Sequence, residues 1–100
     1  RVRQKMADEY GAMALKEYSK GDFSAAYRHS KLALNQKGNH PKALEVKKML
    51  KAKSKRLYQE GYILEAYNPE KAMEKWKLIT KICDSNSTYY QRALGKINGK

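Results

Sequence analysis

From Pro41 to Tyr67 the chain contains no Gly-Pro, Asn-Gly or comparable breaking pair, and Ala43, Val46, Leu50, Leu57, Gly61 and Leu64 recur in helical phase, with Ser54 filling the gap between them. A single helix of about 27 residues, roughly 40 Å long, is therefore expected over 41–67. Gly61 within it costs up to about 1 kcal/mol relative to Ala, so it predicts close approach by a neighbouring helix. The middle of this helix, Lys47 to Arg56, is crowded with like charge and poor in apolar cover, so its central turns are expected to fray.

Two similar punctuation marks flank it. "GDFSAA" at 21–26 and "NPEKA" at 68–72 each place a helix breaker and an N-cap residue ahead of small and apolar residues at helical spacing. Asp22 and Asn68 are the expected caps, with Pro69 at the first helical position and Glu70 near the positive end of the helix dipole. Before the first mark, Met6, Tyr10, Met13 and Glu17, with Ala14 and Tyr18 beside them, outline a helix over about 3–20. A second helix buries Phe23, Ala26, Tyr27, Ser30, Ala33 and Leu34, and ends near "KGNHP". A fourth buries Ala72, Met73, Trp76, Ile79 and Cys83, and a fifth, over about 87–98, gathers Tyr90, Ala93, Leu94 and Ile97 on one side. With no β-branched run of the kind a sheet needs, the fold class is all-α: antiparallel helix pairs, about five helices, one of them extended and basic, in a single domain over 1–100. The chain begins with Arg1 and reads as a piece of a longer polypeptide.

The alternation of large and small residues resembles the tetratricopeptide repeat, W-x2-L-G-x2-Y followed by A-x3-F and P. In a first unit over about 7–38, Tyr10, Met13, Ala14 and Glu17 stand at the four signature positions of the first helix, and Ala26 and Ser30 fall on A-x3-F. Glu17, Ser30 and Gly38 depart from the pattern. In a second unit over about 56–83, Leu57, Glu60, Gly61 and Leu64 take those places, and Ala72-x3-Trp76 matches A-x3-F. About 14 extra helical residues, Pro41 to Ser54, separate the two. The segment from "NPEKA" onward is also similar to the C-terminal tetratricopeptide segments of some bacterial multidomain scaffold proteins. The resemblance implies a cytoplasmic protein–protein interaction scaffold whose concave face, near Leu15 and Tyr18, grips a peptide or helix. Family members that clamp a C-terminal carboxylate use Lys and Asn where this chain has Gly11 and Leu15, so that variety is not expected.

Charge narrows the partner. Twenty-two Lys and Arg against ten Asp and Glu leave a net charge of +12, which attracts polyanions. On a helical wheel Lys47, Lys48, Lys51 and Lys55 fall within about a quarter-turn, and Tyr58 and Tyr62 continue the strip. Such a strip suits an acidic peptide or protein surface; a nucleic acid is the alternative. It is equally what a solvated lysine face looks like when its tyrosines pack beneath a neighbouring helix. Against nucleic acid stands the lack of aromatics interleaved through the basic run. No membrane span is expected, because the apolar runs fall far short of about 20 residues. His29 and His40 have no Cys or carboxylate at a metal spacing, and Gly95 and Gly99 form no phosphate loop. Neither an enzyme, a cofactor nor a small-molecule substrate is expected, and the lone Cys83 reads as a small core residue.

Overall fold

A computed structural model describes residues 2–99; Arg1 and Lys100, the ends of the expected domain, lie outside it. The described residues form five helices and no strand: α1 (Val2–Ser19), α2 (Phe23–Gln36), α3 (Pro41–Leu64), α4 (Pro69–Ile82) and α5 (Thr88–Ile97). They fall into two compact units, 1–50 and 51–100, and α3 contributes residues to both.

In the first unit α1 packs against α2, and the turn between them is fixed by local chemistry. Gly21 takes φ +84°, the left-handed conformation in which a Cβ is strained. The amides of Gly21 and Asp22 donate to the carbonyls of Tyr18 and Glu17 at 3.0 and 2.9 Å, the paired closing bonds of a Schellman motif. The Asp22 carboxylate then accepts from Ala25 N at 3.3 Å and caps α2, so one residue closes one helix and opens the next.

The buried face of α1 differs from the expected one. Ala7, Gly11 and Ala14 are fully covered, whereas Met6, Tyr10 and Glu17 are half-buried and Met13 is 42 % exposed. Small residues occupy this seam because α1 meets its neighbours at backbone distance, and the larger side chains flank it. On α2 the core is Ala25, Ala26, Ser30 and Ala33, with Phe23, Tyr27 and Leu34 half-buried at its margin.

Helix α3 is continuous from Pro41 to Leu64, 24 residues, with no turn between Lys48 and Lys55. Its buried stripe is Ala43, Val46, Leu50, Ser54, Leu57 and Gly61, as expected, while Leu64, expected to continue it, is half-buried at the helix end. The centre of the helix is not bare, since Leu50 and Ser54 are 1 % and 0 % exposed. Burying a side chain such as Leu50 or Val46 is worth about 1.5–3 kcal/mol, and this cover offsets the repulsion expected to fray the middle. The helix ends three residues early. Asn68 precedes Pro69 and is non-helical, φ −150° and ψ 73°, the helical conformation being disfavoured before proline, so residues 65–67 unwind into a turn closed by Asn68 N to Leu64 O at 2.7 Å.

In the second unit Asn68 Oδ1 caps α4 through Lys71 N at 3.3 Å with Pro69 at the first position, and Ser87 Oγ caps α5 through Tyr90 N at 3.3 Å. The core is Leu57, Ala72, Trp76, Ile79, Ile82, Cys83 and Ala93, all buried; Met73, expected among them, is half-buried, and Ile82, not expected, is buried. Gly61 faces the Trp76 indole, where a Cβ would stand 2.6 Å from Nε1. Cys83 Sγ and Ser54 Oγ share a buried hydrogen bond at 2.6 Å.

Candidate cation–aromatic site

The expected site residues separate into the two units. Leu15 and Tyr18 lie half-buried on α1 in the first; Tyr18 meets Phe23 edge to face at a centroid distance of 5.1 Å, which fixes its ring. Lys47 and Lys48 are exposed on the first-unit part of α3. Lys51 and Lys55 are exposed, Tyr58 is half-buried and Tyr62 is 60 % exposed, all on the second-unit part of α3.

It is within this second unit that the strip acquires partners the sequence reading missed. Tyr58 lies 6.4 Å from Tyr62 on its own helix and 5.9 Å from Tyr89 on α5. The Arg92 guanidinium stands over both Tyr58 and Tyr89, at 5.9 and 5.5 Å, and Lys96 Nζ stands over Tyr62 at 4.8 Å and over Trp76 at 5.4 Å. Cations over ring faces are held by the quadrupole, at about 0.5–1 kcal/mol where exposed. Three tyrosines and two cations thus interleave across α3 and α5. The sequence signal for them was present: Tyr89, Arg92 and Lys96 recur at i, i+3 and i+7 on one side of α5, facing a Tyr58–Tyr62 pair at i, i+4 on α3.

The two cations differ in freedom. Lys96 donates to Glu65 Oε1 at 3.1 Å, and that hydrogen bond raises its pKa above the ordinary 10.5. Arg92, like Lys51 and Lys55, has no carboxylate partner among the described residues. Beside Arg92 opens a recess of about 420 Å³, lined by Lys51, Cys83, Tyr89, Arg92 and residues 86–88 at the start of α5, with no acidic residue in its wall.

Both histidines, read above only as poor metal ligands, have structural roles in the first unit. His29 Nδ1 lies 2.6 Å from Glu17 Oε1, tying α2 to α1. The ring of His40 is buried, with Nδ1 accepting from Ala43 N at 3.4 Å as the cap of α3 and Nε2 lying 2.8 Å from Asp8 Oδ1. Nδ1 being the acceptor, the proton on the neutral ring sits on Nε2 and is donated to Asp8. No group of His, Cys, Asp and Glu among the described residues is placed to hold a metal ion, and no described helix is long and apolar enough to cross a membrane. In comparison with known proteins, no family, no curated protein and no solved structure matches the chain.

Proposed function

We propose that this chain is a protein–protein interaction module of tetratricopeptide type, without catalytic activity, which acts as a cytoplasmic scaffold and binds an acidic peptide or protein surface. The observation that carries this reading is the row Lys48, Lys51 and Lys55: exposed, on one face of α3, and without carboxylate partners among the described residues. Cations left unpaired on an ordered helix steer an acidic partner and fix its register. Leu15 and Tyr18, partly exposed on α1 in the first unit, offer a separate apolar contact.

A second reading, nucleic-acid binding, draws support from the tyrosines among the cations of α3 and α5. The peptide reading is preferred because Tyr58, Tyr62 and Tyr89 already carry Arg92 or Lys96 over a ring face, which occupies surface a base would stack on.

The test is fluorescence anisotropy at about 0.15 M salt with a labelled leucine–glutamate peptide and a labelled single-stranded oligonucleotide. The peptide should bind, and changing Lys48, Lys51 and Lys55 together to Glu should weaken it by about tenfold or more, with helical content unchanged. Leu15→Asp should weaken it independently. Peptide binding that survives the triple reversal removes the strip from the proposal, and oligonucleotide binding that is tighter and falls log-linearly with salt selects the second reading.

A further inference from the structure

Building on the proposal that the basic face of α3 receives an acidic peptide, we infer that the recess between Lys51 and Arg92 seats a phosphate monoester carried by that peptide, a phosphoserine or phosphothreonine side chain. Two cations of different geometry meet there. Lys51 provides a point charge, and Arg92 provides a planar fork suited to two oxygens of one group. Arg92 is also held in place, its guanidinium lying over Tyr58 and Tyr89 at 5.9 and 5.5 Å, so little side-chain freedom remains to be lost on binding.

The rest of the wall suits a group with three acceptor oxygens. Asn86 offers an amide and Thr88 a hydroxyl; the Ser87 hydroxyl accepts from Tyr90 N and keeps its own proton to donate. Asp84, which opens the turn, is not part of the lining, so nothing acidic in the wall opposes a dianion. A carboxylate carries one charge and two oxygens and would leave a cation or a hydroxyl without a partner, whereas a phosphate uses both cations together. At about 420 Å³ the recess exceeds a phosphate group and admits the side chain that bears it. A nucleic acid is disfavoured as the source, since the two unpaired cations converge on one recess rather than tracking a backbone.

The inference is tested on the 100-residue chain by amide NMR, with N-acetyl-phosphoserine amide, N-acetyl-glutamate amide and a 5′-phosphorylated oligonucleotide as probes. Saturable shifts are expected from the phosphoserine probe at Lys51 and over residues 86–92, with binding about tenfold or more tighter than that of the glutamate probe. That preference should vanish in both Lys51→Gln and Arg92→Gln. Lys51 is exposed, so its variant keeps the fold even if loss of Arg92 disturbs the tyrosines. Equal binding of phosphoserine and glutamate, or a preference surviving Lys51→Gln, overturns the inference. An oligonucleotide that shifts Tyr58 and Tyr62 equally in the wild type and in Lys51→Gln overturns the peptide as the source. The parent reading fails separately: the leucine–glutamate peptide would then leave Lys48, Lys55 and Tyr62 unshifted while the recess still prefers phosphoserine.

Discussion

A Cβ added to Gly61 would stand 2.6 Å from Nε1 and 2.9 Å from Cε2 of Trp76, closer than side-chain carbons approach a ring. Trp76 is 3 % exposed, so Gly61→Ala overpacks the seam, at a cost of about 1–3 kcal/mol. The better helix propensity of alanine returns at most about 1 kcal/mol. A net loss of stability in guanidinium denaturation is expected; a variant as stable as the parent would show that the indole can move. The Trp76 indole N–H, buried beside Gly61, has no acceptor among the described residues. Gly11 is the counterpart in the first unit, where a Cβ would stand 2.6 Å from Cε1 of His40. The close approach at Gly61 was readable from a glycine set in helical phase. The one at Gly11 was not, because it depends on a histidine 29 positions away that looked like a turn residue. Asp8 belongs to the same contact: its hydrogen bond with His40 holds its carboxyl below the ordinary 3.8. A carboxylate with a lowered folded-state pKa adds stability that is fully present above its unfolded value and is lost as pH falls from 3.8 through the lowered value. Asp8→Asn should therefore flatten the acid limb of a thermal-stability profile and change its shape little near neutrality. An acid limb as steep in Asp8→Asn as in the parent would remove this contact from the account.

Among the elements, α3 shows what periodicity can and cannot tell. Its buried positions Ala43, Val46, Leu50, Ser54, Leu57 and Gly61 were all legible, because a helix with one covered face repeats its apolar residues at the helical period. Its end was not, since the three residues before Asn68 look helical until the geometry required ahead of Pro69 is imposed. For α1 the periodicity favoured Met6, Tyr10, Met13 and Glu17 and picked out only Ala14 of the true seam, missing Ala7 and Gly11, because size was taken as the sign of burial where closeness was the requirement. The cation–aromatic site was legible on α3 and missed on α5: a strip on one helix can be read from its wheel, but a pairing such as Tyr58 with Tyr89 needs the fold. Continuity of α3 predicts the effect of a break. Lys51→Pro would remove one backbone hydrogen bond and force the ring against the preceding turn, costing about 3 kcal/mol or more. The expected result is a clear loss of ellipticity at 222 nm and a lower melting temperature; an unchanged spectrum would mean that the middle of α3 tolerates a kink.

For the whole molecule the excess of charge is shared evenly, each fifty-residue half holding eleven basic and five acidic residues. Neither half is a basic tail attached to a neutral domain. Reversing Lys48, Lys51 and Lys55 takes away six units of charge and leaves the chain still cationic, at about +6, so a loss of peptide binding in that variant would report position on α3 rather than bulk charge. The stability of the variant should change little, because exposed lysines without ion-pair partners contribute little to folding. A different consequence follows from where the single tryptophan lies. Trp76 belongs to the second half, packed against Gly61 with the Lys96 ammonium over its ring, and the first half has only tyrosine and phenylalanine as aromatic chromophores. Emission excited at 295 nm is therefore a built-in gauge of the C-terminal half alone, and plotting it against far-ultraviolet ellipticity during one melt compares that half with the whole chain without attaching a label.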